Sequence, residues 1–244
     1  IGKTTIEFTV EKRTLNLNVI DYDKVYDGNS DFINDISLTN IISGDDVSLN
    51  NVMYVNSDLT AVSDIGQYKV HMELMGEDSL NYQLPTEEIF GRITKRPISL
   101  YVDEHFVYNG QNLQIDSSKI KITGSLASYQ TLDGYVTLKY KDAQVYNFDL
   151  TNLDASNLKV VTNLFSDVTS NYDMTFISTV TIEPISVNIT VENVDLTYNG
   201  NQQSIYDYLI LSSVQSELYA EAQKAVNIAV SYTHLRAHET LRHL

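Results

Sequence analysis

Short stretches of this chain alternate between apolar and polar side chains with a period of two. The apolar positions of the three clearest stretches are Leu15, Leu17 and Val19, then Ile98, Leu100 and Val102, and then Ile185, Val187, Ile189 and Val191. Successive side chains of a strand point to opposite faces, so each of these sets lies on one face of a sheet. Further strand candidates are residues 6–10, 67–74, 134–140, 143–150, 158–163 and 175–182.

Turn-forming residues separate these candidate strands and indicate the fold class. Examples are Ser43-Gly44-Asp45 and Asp64-Ile65-Gly66. Short strands with frequent turns are typical of a sandwich or small barrel. We therefore predict an all-β protein built from small, immunoglobulin-like β-sandwich repeats. A β-grasp-like unit, which places a helix across a sheet, is the alternative, and residues 216–226 contain the strong helix formers that would support it.

The chain contains an internal repeat. Three segments each have a polar hinge, an alternating strand and then a Tyr-Asp/Asn-Gly triplet. The triplets are Tyr26-Asp27-Gly28, Tyr108-Asn109-Gly110 and Tyr198-Asn199-Gly200. A second landmark follows in the same order, at Asn81-Tyr82 and at Asn171-Tyr172. Asp-Gly and Asn-Gly adopt positive φ at low cost, so we expect tight turns and a structural role for these residues.

These landmarks predict the domain organisation. We expect residues 1–13 to be the end of a preceding repeat, 14–96 to be the first whole repeat, and 97–183 to be the second. Residues 184–230 would then be a truncated third repeat. Residues 231–244 contain three of the five histidines and differ in composition from the rest. They resemble a translated sequencing adapter, and we interpret them as a non-native tail.

Charge and composition exclude several classes of function. The 244 residues carry a formal net charge of −16 at pH 7 and include no cysteine. An acidic chain is a poor ligand for nucleic acid or for an anionic membrane surface, because both attract basic patches. Without cysteine the chain has no disulfide, no cysteine-ligated zinc and no thiol nucleophile. Hydrophobic residues make up 43% of the chain, which is enough to form a core.

Candidate chemistry is sparse. We find no P-loop, no G-x-S-x-G and no H-E-x-x-H motif. Outside the tail the histidines are His71 and His105, and neither belongs to a recognisable motif. The acidic stretch around Asp21 and Asp23 suggests a calcium loop, but Val25 occupies a ligand position of that pattern. We therefore predict no catalytic residue, no cofactor and no metal site, and leave open whether calcium binds between repeats.

Ordered motifs of the first unit resemble the YDG-type repeats of large bacterial surface and adhesin-like proteins. The motifs are Lys24-Val25-Tyr26-Asp27-Gly28, Ser43-Gly44-Asp45-Asp46-Val47-Ser48-Leu49, Gly66-Gln67-Tyr68-Lys69-Val70, Asn81-Tyr82-Gln83-Leu84 and Ile93-Thr94-Lys95-Arg96. The second and third units, with Tyr-Asn-Gly, are similar to the related MBG-type repeats. The second unit lacks a Gly-Asp-Asp-Val equivalent, and the third loses the pattern after Tyr206. The resemblance implies a tandem array of small β-domains exported and displayed by bacteria, and it implies no ligand or catalytic residue.

Two functions fit this picture. The first is a non-catalytic stalk segment of a bacterial surface protein, located outside the cell, whose partners are neighbouring repeats of its own chain. The alternative is a repeat module that itself binds a host glycan or an extracellular matrix protein. Its support is the 17 tyrosines, since exposed tyrosine can pack on sugars and on proteins. Tyrosine is also a good strand former, which accounts for its abundance without a ligand.

Overall fold

The computed structural model describes residues 6–32, 36–191, 197, 209–212 and 218, and within these ranges the protein is all-β as predicted. The first strands are β1 (Arg13–Thr14), β2 (Asn16–Val19), β3 (Lys24–Val25), β4 (Ile36–Thr39), β5 (Ser48–Val55), β6 (Gly66–Met75), β7 (Tyr82–Gln83), β8 (Phe90–Thr94) and β9 (Arg96–Tyr101). The next are β10 (His105–Val107), β11 (Gln114–Asp116), β12 (Lys121–Thr123), β13 (Gln130–Leu138), β14 (Val145–Phe148), β15 (Leu153–Asp154) and β16 (Leu158–Thr162). The last are β17 (Tyr172–Phe176), β18 (Ser178–Glu183), β19 (Asn188–Val191) and β20 (Leu209–Ser212).

Helical structure in the described ranges is confined to single turns. Apart from Leu218, it consists of 3₁₀ turns at Ser79–Asn81, Ser117–Lys119 and Thr169–Asn171. These ranges therefore contain no helix long and apolar enough to cross a membrane. The predicted helix at 216–226 lies outside the described residues except for Leu218, so the β-grasp alternative has no described helix to support it.

The described residues fall into two compact units. The first takes those of Ile1–Glu104, Leu113–Tyr140 and Tyr146–Val180. The second takes those of His105–Asn112, Lys141–Val145 and Thr181–Leu244. The predicted first repeat, 14–96, lies wholly in the first unit, together with much of the predicted second repeat.

Residues 13–94, called here the N-terminal segment, form several small sheets in the first unit. The largest has the order β3-β8-β6-β5, in which β3 runs parallel to β8. Strand β1 pairs with β7 in parallel, and β2 pairs with β4 in antiparallel orientation. Several sheets around one core are consistent with a β-sandwich. The fully buried core side chains are Leu15, Tyr26, Tyr54, Val55, Tyr82 and Ile93.

Residues 96–183, called here the middle segment, begin with β9. In the first unit β9 lies between β12, which is antiparallel to it, and β17, which is parallel. Strand β13 pairs with β11, β15 and β16. The buried side chains here include Leu100, Ile115, Val136, Leu138, Phe148 and Val160.

The described residues of the second unit include the following two strand pairings. Strand β10 runs parallel to the last residues of β18, with His105 opposite Thr181 and Val107 opposite Glu183. Strand β19 is antiparallel to β20.

The predicted strands agree with the observed ones in position more closely than in length. The predicted single strand at 175–182 is two strands, β17 and β18, with Ile177 between them. The alternating stretch at 6–10 belongs to none of the strands assigned in the described ranges, and its apolar side chains are exposed.

Candidate functional site

The first two triplets, Tyr26-Asp27-Gly28 and Tyr108-Asn109-Gly110, form the same turn. Gly28 has φ of 82° and Gly110 has φ of 78°, in the region that other residues rarely adopt. The Asp27 side chain accepts a hydrogen bond from the Asn29 N–H at 2.9 Å. Its counterpart Asn109 accepts one from Gln111 at 3.0 Å. Each triplet therefore closes on itself through a short polar side chain, which is the property that favours Asp and Asn before Gly.

A buried lysine ammonium lies inside the first of these turns. The Nζ atom of Lys24 donates to Asp27 Oδ1 at 2.8 Å, to the Asn29 carbonyl at 2.7 Å and to the Asp31 carbonyl at 2.9 Å. It also lies 5.5 Å from the centre of the Tyr54 ring. Three oxygens and a ring face satisfy a buried ammonium, so this lysine acts as a fixed structural cation of the turn.

The ring of Tyr26 packs against a tyrosine of the middle segment. The rings of Tyr26 and Tyr172 meet edge to face, with centroids 5.5 Å apart and planes at 78°. Gln130 bridges their hydroxyls, because its Nε2 donates to Tyr26 at 2.8 Å and its Oε1 accepts from Tyr172 at 2.7 Å. The Ala127 N–H donates to the Tyr172 hydroxyl at 2.8 Å. Both phenols are buried and hydrogen-bonded.

An arginine joins the same two segments through its guanidinium group. The Nε atom of Arg96 donates to the Ser125 carbonyl and its NH2 donates to Ser125 Oγ, both at 2.6 Å. Its NH1 donates to the Tyr26 carbonyl at 3.1 Å. The rigid fork of a guanidinium thereby holds a loop of the middle segment against the turn of the N-terminal segment.

A buried asparagine makes the remaining contact. Asn171 Oδ1 accepts from the Ile65 N–H at 3.0 Å, and its Nδ2 donates to Asp64 Oδ1 at 2.7 Å. We call the side chains Tyr26, Arg96, Gln130, Asn171 and Tyr172 the junction. In the described part of the chain no buried side-chain nitrogen or oxygen lacks a partner, so the junction is fully satisfied.

Burial sets the protonation of the tyrosines in and near this site. Desolvation raises the pKa of the Tyr172 hydroxyl, and the Tyr26 hydroxyl beside it adds to the rise. Burial raises the pKa of Tyr54 to about 12, with further contributions from Asp23, Asp21 and Asp27. These hydroxyls stay protonated at neutral pH and act as donors and acceptors, not as bases.

Comparison with known families identifies part of the chain. The sequence model of the YDG domain matches residues 11–89. Residues 11–89 are a YDG domain. No curated protein and no solved structure matches the chain. The predicted resemblance to YDG-type repeats is therefore confirmed for this part, while the MBG resemblance of later residues and the origin of the tail stay predictions.

The YDG domain supplies one side of the junction and the middle segment supplies the other. Of the predicted motif residues, the structure brings Tyr26, Gly28, Asn171 and Tyr172 together there. Asn81 and Tyr82 lie elsewhere in the YDG domain, and Tyr108, Asn109 and Gly110 lie in the second unit. Tyr198, Asn199 and Gly200 lie outside the described residues.

Sequence reasoning missed the side chains that link the tyrosines. Gln130 was not singled out, and Lys24 and Arg96 were named only as parts of motifs. One signal was available, because the first strand of each segment begins at the arginine of a basic pair, Lys12-Arg13 or Lys95-Arg96. A recurring basic pair at that point indicates a recurring contact.

The residues considered for metal binding or catalysis are engaged otherwise. Asp23 accepts from the Arg92 N–H at 3.0 Å and lies 3.3 Å from its guanidinium. His71 lies 3.4 Å from Glu73, and His105 lies 3.1 Å from Glu183. Across the ranges that the structure describes, no three His, Asp or Glu side chains converge as a metal site would require.

Proposed function

We propose that the chain is a non-catalytic structural segment of a bacterial surface protein, in which tandem β-domains form a stalk. The observation that carries this proposal is the junction. Its hydrogen-bonded contacts, which surround the buried side chains of Tyr26, Asn171 and Tyr172, join the YDG domain to the segment that follows it, as a spacer of fixed geometry requires. Only Lys95 separates β8 from β9, which leaves little chain for bending.

Correspondence between the two segments supports the tandem array. In the N-terminal segment Arg13 is opposite Tyr82 in a parallel pairing, and in the middle segment Arg96 is opposite Tyr172 in the same pairing. Both tyrosines directly follow a 3₁₀ turn that ends in asparagine. Two copies of one repeat would pair these strands in the same register, as the arginine–tyrosine pairs do here.

Charge and composition support display outside the cell. A net charge of −16 makes neighbouring arrays repel one another and stay dispersed. Cores without disulfides suffice for domains of this size. The proposed partners are the neighbouring repeats of the same chain.

The rigidity of the junction can be measured directly. The chain has no cysteine, so Ser57→Cys and Ser156→Cys, both at exposed positions, can carry one spin label each. We expect electron–electron double resonance to give a narrow distance distribution that broadens in the Arg96→Ala/Gln130→Ala variant. The control is Lys159→Ala, which removes an exposed ion pair with Asp167. A distribution in the parent chain as broad as in the junction variant would refute the spacer.

A second candidate function, binding of a host glycan or extracellular protein, is favoured by one surface feature. Tyr129, Leu164 and Phe165 are 82%, 81% and 84% exposed. The Asn163 N–H donates to the Tyr129 carbonyl at 2.9 Å, which brings their two loops together. Tyr129 and Phe165 have φ of 61° and 60°, a costly conformation for bulky residues and one often found at functional sites.

Screening the chain on a glycan and matrix-protein array tests this second function. Saturable binding that is lost in Tyr129→Ala or Phe165→Ala would establish it. Leu59→Ala is the matched control, because Leu59 is also exposed and also has a positive φ, 66°, but lies in the YDG domain. Equal loss in all three variants, or no binding at all, would remove this candidate.

A further inference from the structure

An unpaired apolar stretch precedes the YDG fold. Ile6, Phe8 and Val10 alternate with polar residues and are 82%, 86% and 84% exposed. Val10 stands three positions before Arg13, as Ile93 stands three positions before Arg96. Ile93 is buried, because β8 pairs with both β3 and β6. Residues 6–10 therefore have the pattern and the place of a last strand whose partners are not among the described residues.

A surface of the YDG domain next to this stretch has the geometry of the middle-segment side of the junction. We call Arg13, Asn40, Ile42, Asp45 and Tyr82 the N-terminal face. Arg13 donates through Nε to the Asn40 carbonyl at 2.8 Å and through NH2 to Asn40 Oδ1. The Ile42 N–H donates to the Tyr82 hydroxyl at 3.0 Å.

Each of these contacts has a counterpart at the junction. Arg96 binds the carbonyl and the side chain of Ser125 through the same two guanidinium nitrogens. The Ala127 N–H donates to the hydroxyl of Tyr172 just as Ile42 donates to that of Tyr82. The N-terminal face is thus built as the partner of a Tyr-Asp/Asn-Gly turn.

The difference between the two surfaces shows which groups of the N-terminal face are available to bind such a turn. At the junction Arg96 NH1 binds the Tyr26 carbonyl, whereas Arg13 NH1 has no hydrogen-bond acceptor within the described ranges. Tyr82 donates to Asp45 Oδ2 where Tyr172 donates to Gln130. The Asp45 carboxylate can accept a second hydrogen bond from an incoming phenol, since an ionised carboxylate offers several acceptor sites.

We propose that the N-terminal face receives the Tyr-Asp/Asn-Gly turn of another β-domain of the same kind, which takes residues 6–10 as its last strand. This inference rests on the proposed tandem array and names the contact by which the array extends. Arg13 NH1 binds the backbone carbonyl of the incoming tyrosine, and Asp45 accepts from its hydroxyl.

A disulfide across each surface tests the proposal. A Cβ built on Gly28 lies 3.4 Å from the Ala127 Cβ, close to the spacing of about 3.5–4.5 Å that a disulfide needs. The reference is the full chain with Gly28→Cys and Ala127→Cys. The test protein is the full chain with a second copy of residues 13–95 inserted before Arg13. It carries Gly28→Cys in the inserted copy and Ile42→Cys in the native copy, because Ile42 is the counterpart of Ala127.

The outcomes separate the inference from the proposed function. We expect both proteins to form an intramolecular disulfide at similar rates, and single-cysteine variants to form none. A disulfide in the reference alone would overturn the proposal that the N-terminal face binds a turn. It would leave the proposed spacer function unaffected. A folded reference that forms none would remove the junction, and with it the proposed function.

A second measurement covers the case in which cysteine at Gly28 prevents folding. Arg13→Ala in the native copy should lower the Tm of the duplicated chain by about 2–4 °C more than it lowers that of the parent chain. The reason is that Arg13 NH1 gains the tyrosine carbonyl only in the duplicated chain. An equal effect in both chains would overturn the proposal.

Discussion

At the scale of the residue, tyrosine hydroxyls join parts of the fold. Tyr82 binds Ile42 and Asp45, Tyr172 binds Ala127 and Gln130, and Tyr54 donates to the Tyr22 carbonyl at 2.8 Å. Each ring is buried while its hydroxyl closes a polar contact, which uses both properties of the side chain. These hydrogen bonds therefore explain part of the abundance of tyrosine in this chain.

Replacing Tyr172 by phenylalanine tests this role. The change keeps the ring against Tyr26 but leaves the Ala127 N–H and Gln130 Oε1 without their partner. We expect a loss of about 1–3 kcal/mol in the free energy of unfolding, measured by urea titration. Tyr129→Phe is the matched control, since that ring is exposed, and it should change stability by less than about 0.5 kcal/mol.

Replacing Lys24 by methionine tests the buried cation. The variant keeps the volume of the side chain and leaves Asp27 and two carbonyls without their donor. We expect a loss of about 3 kcal/mol in unfolding free energy. Lys69→Met removes a partly exposed ion pair with Glu88 and should cost at most about 1 kcal/mol. Equal losses in the two variants would show that Lys24 is not a structural centre of the turn.

The sequence predicted the turn residues but not their cation. Asp27 and Gly28 act through local backbone geometry, which a triplet motif encodes. Gln130 acts through atoms brought near by tertiary folding, and no local pattern marks such a contact. Lys24 binds Asp27, Asn29 and Asp31 nearby in sequence, but two of these contacts are to backbone carbonyls, which no residue type marks. The same limit applies to Arg96, whose acceptors belong to Ser125 and Tyr26.

At the scale of the element, the alternation of apolar and polar residues predicted where strands lie but not where a strand is interrupted by a bulge. Strand β5 contains a bulge between Asn50 and Met53, where Asn51 has φ of 51°. Asparagine tolerates this conformation, and its Nδ2 donates to Glu73 across the ladder at 2.7 Å. A bulge depends on the pairing with the neighbouring strand, so it cannot be predicted from the alternation of apolar and polar residues along β5.

The turn at Gly28 provides a prediction at this scale. A Cβ at Gly28 would meet Gln130 Nε2 at 3.3 Å and the Ala127 Cβ at 3.4 Å, whereas a Cβ at Gly44 would meet nothing within 4 Å. Both positions have positive φ, so alanine at either should cost about 1–2 kcal/mol in strain. We expect Gly28→Ala alone to broaden the spin-label distance distribution as well. Broadening in both variants, or in neither, would contradict a contact role for Gly28.

At the scale of the whole molecule, the structure confirms the all-β class for the described residues, and the family comparison identifies a YDG domain at residues 11–89. The predicted boundaries at 96, 183 and 230 stay predictions. The fold class could be predicted because it depends on strand length and turn frequency, and both can be estimated from the sequence composition and the period of apolar positions. The grouping into two compact units depends on long-range packing, so residues adjacent in sequence, such as Glu104 and His105, are assigned to different units.

Alkaline pH should destabilise the fold through its buried and partly buried tyrosines. Folding raises the pKa of Tyr54 from about 10 to about 12, and raises those of Tyr68, Tyr82 and Tyr172. The contribution of Tyr54 to stability is complete below pH of about 10 and is lost as the pH rises through about 12. The contributions of the other three tyrosines are lost as the pH rises through their own raised pKa values. Urea titrations at increasing pH should show this decline, and Tyr54→Phe should reduce its slope. A flat profile up to pH of about 12 would contradict the raised values.

The parallel pairings of the YDG domain decide how it bears a pulling force. Strand β3, near the beginning of the domain, runs parallel to β8, at the end of the domain. Lys24 lies opposite Ile93, and Val25 lies opposite Thr94. A pull on the two ends slides these strands along each other, so their hydrogen bonds are loaded in shear and must break together. With only Lys95 before β9, tension passes directly into the next segment. We expect single-molecule stretching to show one high-force event for this domain. The peak should be lowered more by Tyr26→Pro than by Tyr26→Ala, because only proline also removes the N–H that donates to the Thr94 carbonyl at 2.9 Å.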